Sequence, residues 1–287
     1  MEHHHPQGHA PDDEGPRIAR WWFPLKPRRI EVVWVRRLSE HMVRLRFTGP
    51  DLDDFPTVAP EDHVKLFFDP DDHNRIVLPE LDEQGRASFG GLTYRDYTVR
   101  AFDPAGPWLD VDVVLHGGGI ASNWAARARP GDALGMLGPR GSFQVKDVFD
   151  QYLFACDETA LPAMARWLEM LRPGVPVTAY VEVAGPSDEL PLQTRADLHL
   201  VWLHRDGRPA GSTRLLEQAV RGHALPSRGD FFVWVAGEST SIKPLRRYLA
   251  RDLGLPRDNW DVDGYWRRGQ TNHDHHIDEE DESADAA

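Results

Sequence analysis

The stretch Thr93-Tyr94-Arg95-Asp96-Tyr97-Thr98-Val99-Arg100 sets a cation, an aromatic ring and a hydroxyl along one extended segment. Side chains of a strand alternate between its two faces, so Arg95 and Tyr97 point one way and Thr98 the other. A small twist or bulge brings the Thr98 hydroxyl or backbone to the rim of the same pocket. A flat, phosphate-bearing ligand calls for such a set: charge for the phosphate, a ring for packing, a short donor for the edge. An ordinary half-exposed strand carries the same pattern, so the neighbouring segments must decide.

Around this stretch the chain reads as β from 29 to about 116. Residues 29–35 and 42–48 are β-branched and aromatic, 63–68 is a short apolar run closed by Asp69-Pro70, and 93–102 contains the opening motif. In 108–116, Leu109, Val111, Val113 and Leu115 share one face with Asp110 and Asp112 between them. Short strands at this spacing with Gly/Pro turns predict an antiparallel β-barrel. The last of these strands runs through His116 into Gly117-Gly118-Gly119-Ile120-Ala121-Ser122-Asn123-Trp124-Ala125-Ala126. A glycine-rich turn entering an Ala-rich helix offers free backbone N–H groups and a positive dipole end, a seat for pyrophosphate; a plain strand-to-helix turn looks the same. Pro130-Gly131-Asp132 and Gly138-Pro139-Arg140-Gly141 bracket one more strand.

Beyond 150 the texture changes. A strand at 152–155 leads through Asp157-Glu158-Thr159 into a helix over 160–171, with Leu161, Met164, Ala165, Leu168 and Leu171 at helical spacing. Strands follow at 175–183, 198–203 and 231–236, with a helix near 213–221. Strands alternating with such helices predict a parallel sheet, whose ligands sit at the carboxyl ends of strands. Those ends are Cys156-Asp157-Glu158-Thr159 and Gly237-Glu238-Ser239-Thr240. A final helix over 240–253 sets Ile242, Leu245, Leu249 and Leu253 along an apolar stripe and presents Lys243, Arg246 and Arg247 on a largely different face, either an anion clamp or a solvated basic face. The expected architecture is two-domain: an antiparallel β-barrel over 25–147 and an α/β parallel-sheet domain over 148–271, between His- and acid-rich tails at 1–24 and 272–287 expected to be disordered.

A chain of 287 residues with ten Trp is long enough for two such cores. The net charge of −13 is concentrated at the ends. Glu2, Asp12, Asp13 and Glu14 lie in residues 1–16; Asp274, Asp278, Glu279, Glu280, Asp281, Glu282 and Asp285 lie in residues 272–287, and neither segment carries Lys or Arg. The body is nearly neutral, which argues against nucleic acid as a partner. The single Cys156 excludes an intrachain disulfide, an iron–sulfur cluster and a zinc–thiolate site within the chain. No signal-peptide pattern and no long apolar run occur, so a cytoplasmic protein without membrane insertion is expected. The tail histidines His3, His4, His5, His9, His273, His275 and His276 read as low-complexity sequence that binds metal weakly at most.

A barrel with Arg-x-Tyr-Thr followed by a nucleotide-type α/β domain resembles the ferredoxin-reductase-like flavoenzymes. More closely, the chain is similar to the siderophore-interacting proteins, bacterial FAD-dependent ferric-siderophore reductases. The stretches that carry the resemblance are His63-Val-Lys-Leu66, Arg95-Asp-Tyr-Thr98, His116-Gly117, Ala121-Ser-Asn-Trp-Ala125, Pro130-Gly-Asp132, Asp157-Glu-Thr-Ala-Leu-Pro-Ala163, Val235-Ala-Gly-Glu238 and Gly264-Tyr-Trp-Arg267. Two positions depart from the family pattern: Ile120 stands at an expected Pro, and Cys156 at an expected Gly, where a dinucleotide backbone approaches.

The resemblance implies FAD as cofactor, with NADH, NADPH or reduced ferredoxin as electron donor and a ferric siderophore as substrate. It places Arg95 on the FAD phosphate, Tyr97 on or near the flavin, and Thr98 at the ring edge near N5. His116 belongs with these, and the Gly119, Ala121 and Ser122 amides with the Ser122 hydroxyl hold the pyrophosphate. Asp157, Thr159 and Glu238 line the nicotinamide side; Lys65, Lys243, Arg246 and Arg247 grip the anionic siderophore. Glu182 suits a ribose hydroxyl and Arg205 a 2′-phosphate. No general acid, base or protein metal ligand is implied. A flavin reductase serving a protein acceptor and a non-catalytic siderophore-binding protein are the competing readings.

Overall fold

The computed structural model describes residues 16–68, 76–225 and 229–271. Most of the two tails, with all of the tail histidines, lies outside these residues.

The first half is built from β1 (Ile18–Trp22), β2 (Pro27–Arg37), β3 (Met42–Thr48), β4 (His63–Phe67), a small hairpin of β5 (Glu80–Leu81) and β6 (Ala87–Ser88), β7 (Tyr94–Thr98), β8 (Ala101–Asp103), β9 (Trp108–Val114), the helix α1 (Ile120–Ala125), β10 (Ala133–Leu137) and β11 (Gly141–Val145). Seven of the strands form one antiparallel sheet in the order β7-β4-β10-β2-β3-β9-β8. Its inner face buries Ile30, Leu45, Phe47, Leu66, Leu109 and Met136, and α1 closes that core with Ala121 and Ala125. The period-2 pattern of β9 has a second use. Arg44 and Arg46 of β3 cover Asp112 and Asp110 with two-pronged hydrogen bonds, the leading ones at 2.6 and 2.7 Å.

Three expectations change. The sheet is rolled so that β7 touches β9, but no ladder joins its edges β7 and β8, so it is an open sheet and not a closed barrel. The segment expected as one strand over 93–102 is two, broken at Val99 and Arg100. The Val99 amide donates to Asp62 O and the Arg100 amide to Asp110 O, which carries the chain from one edge of the sheet to the other. Residues 18–22, expected within a disordered tail, are β1, paired antiparallel with β11.

The second half contains β12 (Gln151–Asp157), α2 (Leu161–Met170), β13 (Pro176–Val183), β14 (Asp197–His204), α3 (Leu215–Gly222), β15 (Phe231–Glu238), α4 (Ser239–Arg247) and β16 (Trp260–Trp266). The five strands are parallel in the order β14-β13-β12-β15-β16. β12 is buried nearly throughout, as a parallel strand covered on both faces should be. α2 packs on one face with Phe154, Cys156 and Trp234; α3 and α4 pack on the other with Leu153, Val233 and Val235. β16 extends the sheet where the sequence reading saw only the end of the fold. The strand order reverses between β12 and β15, so the crevice at their carboxyl ends is the place for a ligand.

The halves are docked by named contacts. Arg166 of α2 donates to Val99 O at 2.8 Å and Thr57 Oγ1 at 3.1 Å. Arg100 grips Glu169 through two hydrogen bonds. On another side, Asp188 accepts from the Ser39 hydroxyl and the His41 amide.

Candidate cofactor site

On the flavin half the site begins with β7. Its register against β4 sets Leu66 opposite Arg95, Lys65 opposite Asp96, Val64 opposite Tyr97 and His63 opposite Thr98. Tyr97, Ile120 and Trp124 all pack against the core that contains Ala121, so the β7 aromatic and the start of α1 share one core. Burial raises its phenol well above the ordinary range. Arg95 is half-buried and donates to its neighbour's carbonyl, Tyr94 O, at 2.6 Å; Thr98 is buried.

The glycine turn forms a cradle. The His116 amide donates to Ser122 Oγ at 3.1 Å, drawing the turn closed. Gly119 has φ 76°, and a Cβ there would stand 3.3 Å from the His116 ring, so the position admits little but glycine. The helix ladder starts with the Asn123 amide on Gly119 O. The amides of Ile120, Ala121 and Ser122 therefore have no acceptor within the helix. Ile120 occupies the first helical position half-buried against the core, so the missing Pro costs no packing. Beside α1 a cavity of about 650 Å³ is lined by Phe68, Trp124, Leu134, Arg29, Arg127 and Arg129. These residues are scattered over a hundred positions of sequence, and nothing local marked them. A cradle that rejects a Cβ, free amides, a packed tyrosine and a cationic, partly aromatic cavity together fit a flavin dinucleotide.

The crevice of the second half is arranged differently. Asp157 Oδ1 accepts from the Thr159 amide and hydroxyl, at 2.9 and 2.5 Å. Its Oδ2 accepts from the Glu238 amide at 2.9 Å and from the Trp266 indole at 2.8 Å. Gly237, at φ 156°, is pressed against it: a Cβ there would stand 2.8 Å from Oδ2. Burial first, then the charge of Glu158, pushes Asp157 up to about 7 against the pull of Thr159 and Trp266. Glu238 caps α4 by accepting from the Ser241 amide at 2.7 Å, and its other oxygen takes the Arg268 amide at 3.0 Å. Its carboxyl is held below the usual range although burial opposes this, because these donors prevail. Arg205 is clamped by Glu158 through two bonds of 2.6 Å, with Glu182 at 3.7 Å. Glu182 in turn accepts from Thr213 at 2.8 Å. The three residues expected along the nicotinamide, Asp157, Thr159 and Glu238, do converge, but on one another. Cys156 does not crowd the crevice: its thiol lies in the core under α2, 3.9 Å from the Met164 sulfur.

The four expected siderophore cations separate into pairs. Lys65 bonds Asp96 at 2.8 Å and lies over the Tyr94 ring. Arg246 donates to Val262 O on β16 at 2.8 and 3.0 Å. Lys243 and Arg247 are exposed on α4 and form no ion pair among the described residues.

Known proteins match this geometry along its length. Residues 31–143 match the siderophore-interacting FAD-binding domain and 149–269 match the siderophore-interacting protein family. The NADPH-dependent ferric-chelate reductase of Escherichia coli is 35% identical over 231 residues, covering 78% of this chain and 86% of its own length. The ferric vibriobactin reductase ViuB of Vibrio cholerae is 28% identical over 254 residues, with 87% and 93% covered. A siderophore utilization protein from T. fusca superposes with a TM-score of 0.85 at 42% identity, covering 90% of this chain and 99% of that one. The open sheet followed by a five-stranded parallel sheet is the ferredoxin-reductase-like arrangement, and the chain belongs to the siderophore-interacting protein family.

Proposed function

We propose that this protein is an FAD-dependent oxidoreductase that reduces ferric siderophores in the cytoplasm and releases iron(II), with electrons from NAD(P)H or reduced ferredoxin. The observation that carries the reading is the Gly119 cradle, a position closed to a Cβ that opens a helix whose first amides are free, set on the same core that Tyr97 packs against. It offers a pyrophosphate seat on the domain that carries the β7 aromatic. Bound there, FAD couples a two-electron donor to iron(III), which accepts one electron at a time.

The side chains bind and orient. Arg95, half-buried and held among the described residues only by its neighbour's carbonyl, turns toward the phosphate. The amides at the start of α1 and the Ser122 hydroxyl take the pyrophosphate, and Tyr97 packs on the ring system. Thr98 sets the ring edge. The cavity beside Trp124, with Arg29, Arg127 and Arg129 around it, receives the adenosine end. Lys243 and Arg247 steer the anionic iron complex; Lys65 joins them only by leaving Asp96. Asp157, Thr159 and Glu238 shape the donor side as one hydrogen-bonded unit.

The test is a visible spectrum of the FAD-loaded protein before and after anaerobic NADH, NADPH or reduced ferredoxin, followed by a ferric siderophore. Bleaching by one donor and recovery on adding the siderophore are expected. A protein that cannot be reconstituted with FAD ends the proposal.

A further inference from the structure

The turn leading into β4 carries two acids with opposite fates. Asp62 turns back on its own chain, its Oδ2 accepting from Thr57 Oγ1 and from the Val58 and Ala59 amides. Glu61 leaves the flavin half. Its Oε1 is fully buried and makes no well-formed hydrogen bond among the described residues. It faces the buried indole N–H groups of Trp167 of α2 and Trp234 of β15, which reach it only weakly and have no other partner among the described residues. Asp261, Asp263 and Tyr265 of β16 complete the surroundings.

A buried carboxylate with no cation beside it and only weak indole donors costs several kcal/mol, so the group is kept as the neutral acid. Burial acts first on Glu61, then the like charges of Asp261 and Asp263, and all of them favour the proton; the two indoles oppose it more weakly. Asp261 is itself pushed up to about 6 by burial and Asp263, with Arg257 and Arg246 pulling the other way. Cys156 of β12 lies beside Tyr265 and stays a thiol through burial. Arg166 of α2 feels Asp62, Glu169 and Tyr265.

We propose that Glu61 is a proton-operated latch between the two halves: seated as the neutral acid, it holds the turn before β4 against α2 and β16, and its ionisation releases that contact. The docked form keeps a proton that the released form, with Glu61 in water, gives up. Docking is therefore strongest at low pH and weakens by up to about tenfold per pH unit above the ordinary carboxylate range. It levels off once pH passes the raised value of the docked group. The latch lies where the halves meet, beside the contacts of Arg166 and Arg100, so it governs how the β7 site faces the crevice at β12 and β15.

The experiment is hydrogen exchange by mass spectrometry on the FAD-loaded full chain between about pH 6 and pH 9, corrected for intrinsic rates. In the wild type, protection of the 57–63 turn, α2 and β16 should fall by up to about tenfold per pH unit, while α3 stays level. Glu61→Gln should hold α2 and β16 protection level, and Asp263→Asn should end the fall at lower pH. An equal fall in wild type and Glu61→Gln overturns the latch. Should Glu61→Gln not fold, infrared spectra of wild type and Glu182→Gln labelled with ¹³C-glutamate decide. A protonated glutamate carbonyl persisting above neutral pH in both supports the latch, and its absence overturns it.

Discussion

The two candidate sites of this molecule are opposites in how they treat their polar groups. At β7 and α1, amides, an arginine and a tyrosine are held in place but not paired off: the Ile120, Ala121 and Ser122 N–H groups have no helical acceptor, and among the described residues Arg95 bonds only the carbonyl beside it. At the carboxyl ends of β12 and β15, Asp157, Glu238, Arg205 and Glu182 are each occupied by another residue of the chain. The first site is preorganised and waiting for a ligand to complete it. The second is complete by itself, so any ligand entering it must displace bonds. Charge deletions should therefore be felt as lost ligand in the first and as lost stability in the second.

Glu158→Ala is the strongest challenge to this contrast. It leaves Arg205 buried with no close carboxylate, Glu182 at 3.7 Å and Asp157 farther off, and removing one partner of a buried pair costs about 3 kcal/mol or more. Urea unfolding should show that loss, with FAD content per folded molecule unchanged. Arg95→Ala should do the reverse. Loss of a charge-assisted contact, about 1.5–3 kcal/mol, weakens FAD retention roughly ten- to a hundredfold, while the unfolding midpoint of the FAD-free protein stays in place. Equal stability losses in both variants would erase the distinction.

Asp157→Asn sharpens it through pH. Because the folded value, about 7, is raised above the ordinary carboxylate value, the native state holds the proton longer than the unfolded chain. This group's contribution to stability is full below the unfolded value, declines by about 1.4 kcal/mol per pH unit up to about 7, and is level above it. The variant should lose that slope in denaturation curves taken across the window. The smallest effect belongs to the exposed cations. Lys243→Ala with Arg247→Ala should lower kcat/KM for an anionic ferric siderophore two- to fivefold, on the order of 1 kcal/mol or less, and the deficit should shrink as salt is added. Lys65→Ala, which unpairs Asp96 as well, should show a component that salt does not remove.

Local patterns in the sequence carried the strand β7 and the glycine turn. Arg95 and Tyr97 share a face of β7 with Thr98 on the other, and the glycine turn does enter α1. Such features depend on residues a few positions apart. What the sequence did not reveal depends on distant partners. Asp157 meets Trp266 through a strand pairing formed only after the whole sheet is assembled, and Lys65 meets Asp96 through the register of β4 on β7. The Val99–Arg100 break arises because the chain must change edges of a rolled sheet, a demand invisible in an unbroken β-branched run. β1 was masked by its acidic, His-rich neighbourhood, although Ile18 and Trp22 find partners on β11. Glu61 looked like any polar turn residue because its surroundings come entirely from the other half.

Gly237 and Asp157 also constrain how this chain can change over generations. A side chain at Gly237 would collide with the Asp157 carboxyl at 2.8 Å in a backbone conformation L-residues rarely adopt. A mutation at Gly237 is therefore barred while Asp157 stands, and one at Asp157 frees the Trp266 indole and the Glu238 amide together. Losing the Asp157 carboxyl would clear the collision but leave the backbone strain, so Gly237 is held by two independent constraints and Asp157 by one.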